Sequence, residues 1–249
     1  MSDDDTVGRL EPEIHEDLRS SFHKELDSIR ESIAMLAANV TESIPRATQI
    51  LLTQDLEGAE FMILGDDEVD SRSLDLEERC YSVLALQAPV AGDLRQMVSA
   101  LRIIAEIERS ADLAVNVCKA ARRIYGHQLD PRLRGIIQKM GDQAHQLFKE
   151  ATEAYLTGDA TRAAALGDMD GYLDDLQRQF VQTIFEANAA ERIDLPVAVQ
   201  LAVVARFYER IGDHAVNIGE RVRYVVTGWL PEHAGAARFA TRAAASDLD

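Results

Sequence analysis

Apolar residues return along most of this chain at the spacing of an α-helix. Leu18, Phe22, Leu26, Ile29, Ile33, Leu36, Val40 and Ile44 fall three or four apart, which places them on one face at 3.6 residues per turn. The pattern predicts a long amphipathic helix that resumes after Pro45 through Ile50, Leu51 and Leu52. A kink is expected at the proline, where an amide donor is lost. A second helix starts after Asp55, a suitable N-cap, and carries Phe61, Leu64, Leu76, Cys80, Val83 and Leu84, bending around residues 65–67. After a turn at 87–93, a third carries Leu94, Val98, Leu101 and Ile104 and ends near Gly126.

The same grammar repeats in the second half. Asp130 followed by Pro131 opens a fourth helix, with proline at the first position, where its missing N–H does no harm. Leu133, Ile137, Met140, Ala144, Leu147 and Ala151 form its apolar face. Gly158 suits its C-terminus and Asp159 the N-cap of a fifth helix, which runs to about Ala190. A sixth lies over residues 206–226, with Tyr208, Ile211, Ala215, Ile218, Val222 and Val225 on one stripe. Long helices joined by short turns favour antiparallel packing.

Two independent offsets show a duplication. Glu108-Arg-Ser-Ala-Asp-Leu-Ala-Val-Asn-Val117 matches Glu209-Arg-Ile-Gly-Asp-His-Ala-Val-Asn-Ile218 at six of ten positions, 101 residues apart. The helix punctuation Leu52-Thr-Gln-Asp55 returns as Leu156-Thr-Gly-Asp159 at an offset of 104. The predicted fold is therefore all-α, two tandem antiparallel three-helix bundles over residues 14–127 and 128–229. Residues 1–13 read as an acidic tail and 230–249 as an Ala-rich tail, neither with regular structure.

The formal net charge of −17 disfavours nucleic acid, whose phosphates require clustered Lys and Arg, and adsorption to anionic lipid. The two cysteines, Cys80 and Cys118, lie within helical patterns, in neither metal-ligand nor redox spacing, and read as buried thiols. No run approaches the length of a membrane span, and the start Met-Ser-Asp-Asp-Asp is acidic where a secretion signal is basic. A cytoplasmic protein is expected.

Some of the acidity is patterned. With 43 acids in the chain, chance places about seven acidic pairs at i, i+4, so one pair means nothing. Matched pairs carry more weight. Glu108/Asp112 and Glu209/Asp213 share the 101 offset, and Asp66/Asp70 and Asp170/Asp174 share the 104 offset. Facing helices would bring Asp66, Asp70, Glu108 and Asp112 into one quartet and Asp170, Asp174, Glu209 and Asp213 into another. Such quartets must protonate, pair with arginine or bind cations. Carboxylate oxygens with few imidazoles and no thiols suit divalent or trivalent ions: iron, manganese, zinc or magnesium. A row of solvated acids paired to Arg109 and Arg210 is the alternative. His214, whose counterpart is Leu113, reads as a surface or supporting histidine rather than a ligand. Asn116 and Asn217 extend the stripe and could hold a carboxylate or water.

Residues 209–218, their degenerate copy at 108–117, and Leu84-Ala-Leu-Gln-Ala-Pro-Val-Ala-Gly-Asp-Leu-Arg95 resemble the signature segments of the PhoU family of phosphate-signalling regulators. The resemblance spans residues 18–228. It implies two tandem three-helix bundles and acidic motifs that carry metal clusters in some members. It also implies a role restraining phosphate uptake and the phosphate-starvation response, through the ATPase subunit of the phosphate ABC transporter and a phosphate sensor histidine kinase. The membrane would be reached only through those partners, and two equivalent bundles leave room for a homodimer. Departures fall in the first copy: Ser110-Ala111 stand for Ile211-Gly212, and Lys119 for Glu220. Arg95 and Arg102 face Pro196 and Val203 at that offset.

Two other classes compete. A metal-free helical adaptor has the same pattern of amphipathic helices. A di-iron carboxylate oxidase is also a helical bundle, but that class uses Glu-x-x-His pairs, and the sequence has none. Without a recognisable nucleophile or phosphate-cradling Gly-rich loop, the chain reads as a protein that is not an enzyme.

Overall fold

The computed structural model describes the backbone of residues 4–230 and the side chains of residues 20–230. Helices α1 (Asp4–Thr53), α2 (Leu56–Leu64), α3 (Asp66–Gln87) and α4 (Ala91–Arg123) form the first repeat, and α5 (Pro131–Thr157), α6 (Ala160–Ala189) and α7 (Leu195–Thr227) the second. Among the described residues there is no strand, and no helix is long and apolar enough to cross a membrane.

The capping chemistry sits where the sequence places it. Asp55 accepts from the Gly58 amide at 2.9 Å, Asp130 from Arg132 at 2.8 Å, and Asp159 from Thr161 and Arg162 at 2.9 and 3.0 Å. These satisfy amides that the first helical turn leaves open. Gly158, at φ 65°, turns the chain out of α5 in a left-handed conformation that glycine adopts without cost.

Four expectations change. The second helix is two, α2 and α3, because the chain breaks at Gly65 rather than bending there. The last helix begins at Leu195, eleven residues before the stretch read from the motif. The kink expected at Pro45 does not interrupt α1: its penalty of about 3 kcal/mol is one local term beside the burial of Val40, Ile44, Ala47, Ile50 and Leu51. Residues 4–13, read as tail, continue α1, since extending an existing helix is cheap. The stretch 231–249 lies outside the described residues.

The helices contributing to the seam are α1 and α4 of the first repeat and α5 and α7 of the second, with α4 against α7 and α1 against α5. Helices α2 and α3 pack only on their own repeat, as does α6. One continuous apolar core runs through both, from Phe22 to Ile218. At its centre the Thr48 and Tyr208 hydroxyls meet at 2.8 Å across the seam. Gly141 lets α5 approach α1 closely, since a Cβ there would stand 2.3 Å from the Thr48 hydroxyl. Cys80 and Cys118 are buried and unbridged, and burial pushes their thiols up to about 11 and about 12.

The first helices of the repeats exchange caps. Arg30 of α1 donates to the carbonyls of Tyr155 and Leu156 at the end of α5, and Arg134 of α5 donates to Leu52 at the end of α1 at 2.6 Å. The two arginines stand at the 104 offset, as do Leu52 and Leu156. Each places a cation at the negative end of the other's helix dipole.

Candidate functional site

The packing of α3 on α4 and of α6 on α7 brings each predicted quartet into one electrostatic neighbourhood. In the second repeat, Asp170 is half-buried on α6, and burial, with Asp174, Asp213 and Glu209 around it, pushes its carboxyl up to about 6. Burial first, then Asp213 and Asp174, raise Glu209 above the ordinary carboxylate range, against the opposing pull of Arg206. In the first repeat, burial followed by Asp112 and Asp70 raises Asp66, with Lys119 opposing. Glu108 is raised by burial, Asp112 and Asp70, with Arg109 opposing and Glu77 adding to the repulsion. All eight predicted residues therefore belong to these two neighbourhoods. Asp70 and Asp213 stand at the exposed rims.

Three carboxylate oxygens are buried with no hydrogen-bond partner: Oδ1 of Asp66, Oδ1 of Asp170 and Oε2 of Glu209. A buried anion without a donor is costly. The Asp170 oxygen lies where α7 carries no side chain, since a Cβ on Gly212 would stand 2.4 Å from it. Orphaned oxygens, mutual repulsion and an all-oxygen donor set fit a hard cation. As the side chains stand, no three His, Cys, Asp or Glu residues among those described converge tightly enough to hold a metal ion. Arg206 occupies the other oxygen of Glu209, so gathering the second quartet on an ion means displacing that guanidinium.

A second polar cluster escaped sequence reasoning. Glu106 of α4 faces α7, where its Oε2 lies 2.5 Å from His214 Nδ1 and accepts from Asn217 Nδ2 at 3.1 Å. Arg109 is 3.7 Å from its other oxygen. Burial works to raise the Glu106 carboxyl, but hydrogen bonds from His214 and Asn217 overcome it and hold the group below its ordinary value. His214 is thus not a surface residue: it is 8% exposed and packed into the seam. The helix turn that points Asp213 outward turns its neighbour inward. Asn217 holds a carboxylate, but that of Glu106 in the other repeat. A signal was available, because Glu106 and His214 face the apolar counterparts Phe207 and Leu113 at the 101 offset.

The PhoU domain model matches the chain twice, over residues 33–121 and 137–222. Phosphate-specific transport system accessory protein PhoU homolog 1 of Mycobacterium leprae is 36% identical over 216 residues, which cover 86% of this chain and 96% of that protein. PhoU homolog 2 of Mycobacterium tuberculosis is 36% identical over 215 residues, covering 86% of this chain and all of the relative. Among solved structures, PhoU from Pseudomonas aeruginosa superposes with a TM-score of 0.79 at 26% identity, covering 84% of this chain and 100% of that one. The phosphate transport system regulatory protein PhoU from Streptococcus pneumoniae gives 0.77 at 25%, covering 84% and 98%.

Proposed function

This chain belongs to the PhoU family, and on that premise we propose that it is a regulatory accessory protein of phosphate transport that restrains phosphate uptake and the phosphate-starvation response. The supporting observation is that the whole two-repeat body, and not one motif, aligns with accessory proteins of that system. It acts by contact. Its partners are the ATPase subunit of the phosphate ABC transporter and a phosphate sensor histidine kinase, and it works in the cytoplasm, reaching the membrane through them. A homodimer presents two such bodies at once. The protein carries out no chemistry of its own.

The carboxylate quartets hold iron, manganese, zinc or magnesium: Asp170, Asp174, Glu209 and Asp213 at one site, Asp66, Asp70, Glu108 and Asp112 at the other. A cation supplies positive charge that cancels the repulsion between these side chains and ties α6 to α7 and α3 to α4. The metal-free adaptor remains the second reading, favoured by the Arg206–Glu209 pair, which already supplies a positive charge within the second quartet.

Deletion in the source cell tests the regulatory role. Phosphate-uptake genes and alkaline phosphatase should become active while phosphate is plentiful, and the restored gene should silence them. Unchanged uptake, expression and polyphosphate in a strain with no second copy would refute it. Elemental analysis of protein purified without chelators, then exposed to each of the four metals, separates the metal-bound from the metal-free form.

A further inference from the structure

Most buried hydroxyls on these helices return to their own backbone. Thr41, Thr48, Ser110, Thr152 and Thr183 each donate to the carbonyl four residues back, the local partner a helix offers such a group. Ser99 of α4 does not. It is 1% exposed, and its Oγ has no hydrogen-bond partner. It lines a cavity of about 170 Å³ at one end of the seam, where α1, α4, α7 and the end of α5 meet. One turn earlier on the same face of α4, Arg95 Nε is also buried without a partner. The Arg95 guanidinium lies against the end of α7, 3.9 Å from where a Cβ on Gly228 would stand. Both orphaned groups are donors, so what they call for is an acceptor.

The rest of the cavity sets the size and character of that acceptor. Its walls are apolar: Leu26 and Ile29 from α1, Met97 and Ile103 from α4, Val222 and Val225 from α7. A cavity of about 150 Å³ holds a single benzene ring. The exposed side chains of Arg30, Gln96 and Val226 mark the mouth. Among the described residues the lining carries one formal charge, the Arg30 guanidinium, which its bonds to the Tyr155 and Leu156 carbonyls hold in place. A bare phosphate would lose its water against such walls. An apolar body with an acidic head suits both the walls and the donors.

The 104 offset explains why the space is open. Gly158 lines it, and the counterpart of Gly158 is Gln54. At the other end of the seam Gln54 crosses from the end of α1 to the end of α4. Its Nε2 donates to the Ile124 and His127 carbonyls, and its Oε1 accepts from the Gly126 amide. Gly158 and Gln54 share a left-handed backbone, φ 65° and 56°, but a Cβ on Gly158 would meet nothing within 4 Å.

We propose that this cavity binds a small amphipathic carboxylate, a chain of about six carbons or a single ring, whose head accepts from Ser99 with Arg95 and Arg30 supplying positive charge, and whose tail lies between α1 and α7. The ligand ties α4 to α1 and α7 at the end of the seam where Gly158 offers no side chain to do so. The site shares no residue with the carboxylate quartets.

The test titrates hexanoate into the full-length chain, with heat measured by calorimetry and the carbon-13-labelled methyl of Met97 read by NMR. One hexanoate should bind per chain and shift the Met97 signal. Hexan-1-ol, of the same length without the charge, should bind at least tenfold more weakly, and inorganic phosphate should not displace hexanoate. Ser99→Ala removes no existing hydrogen bond, so it should fold as wild type does and weaken hexanoate about tenfold or more. Gly158→Gln installs the side chain of the other copy at the cavity and should abolish binding. The proposal is overturned by a Met97 signal that hexanoate leaves unmoved, by hexanol that binds as tightly, or by phosphate that competes. Unchanged affinity in Ser99→Ala, or in a folded Gly158→Gln, overturns it as well. Should Gly158→Gln fail to fold, Ser99→Ala and the hexanol comparison still decide.

Discussion

Glu106 Oε2 lies 2.5 Å from His214 Nδ1, across the seam between the two repeats. The same oxygen accepts from Asn217, so one carboxylate of α4 holds two side chains of α7 one turn apart. Glu106 and His214 have apolar counterparts in the other copy, Phe207 and Leu113, whereas Asn217 has Asn116. The bridge is an asymmetric addition to a symmetric body. It ties the helix of Glu108 and Asp112 to the helix of Glu209 and Asp213.

Glu106→Ala should therefore destabilise the protein by about 1–3 kcal/mol, because it strands the buried His214 and the half-buried Asn217. The pair Glu106→Phe with His214→Leu installs the residues of the opposite copies and removes the acid and the imidazole together, leaving only the half-buried Asn217 without its acceptor. The double variant should be more stable than the sum of the single effects predicts, as for any directly coupled pair. Urea denaturation of the four proteins gives the answer, and strict additivity would contradict the bridge.

The exchanged caps make a separate prediction. Arg30→Ala and Arg134→Ala each remove a cation from the carbonyl end of the other repeat's first helix. Each should cost about 1 kcal/mol. The two sites lie at distant points along α1 with no shared partner, so their costs should add. Thermal melts of the singles and the double check both magnitude and additivity.

Most of the fold was legible because helical periodicity and the two offsets are local or one-dimensional signals. Asp55, Asp130 and Asp159 announce their caps by residue type alone. That these carboxylates share two electrostatic neighbourhoods was legible for the same reason, as four pairs at i, i+4 repeated at fixed offsets, whereas as the described side chains stand no three of them converge tightly enough to hold an ion. The break at Gly65 was not: its backbone is still right-handed, φ −76° and ψ −8°, so glycine's special freedom is unused there. The His214 bridge was legible only in part: the apolar counterparts Phe207 and Leu113 set Glu106 and His214 apart, but their meeting depends on how α4 crosses α7, and the 101 offset aligns helices without saying which faces meet. Arg30 and Arg134 did lie at the 104 offset, but an exposed arginine on a helix carries no sign of whose carbonyls it will reach.

For the second quartet, Glu209→Gln with Asp213→Asn keeps size and removes two negative charges. Metal bound after purification without chelators should fall by at least half, since the site tied to these residues loses its ion. Circular dichroism should show helical content retained, because the variant relieves repulsion rather than packing. Metal content equal to wild type would place the ion elsewhere.

The raised carboxyls also fix how stability depends on pH when metal is absent. Asp170 titrates at about 6 in the folded protein against an ordinary 3.8. Between those values the unfolded chain has released this proton while the folded protein keeps it, so the folded state binds more protons and stability falls as pH rises. Glu209, Asp66 and Glu108 are displaced in the same direction and add to the effect. Glu106 is displaced the other way, below its ordinary 4.5. The stability it contributes is complete above its ordinary value and is lost as pH falls from there through the lowered one, so it opposes the trend only at the acid end of the window. In chelator, the melting temperature should therefore decline from about pH 4 to about pH 6, and Asp170→Asn should flatten much of that slope. Excess Mn2+ should raise the melting temperature at pH 7 by binding the folded state alone. The gain should shrink at pH 5, where protons hold Asp170. A melting temperature that climbs across this window in chelator would show that the carboxylates are not held together against their repulsion.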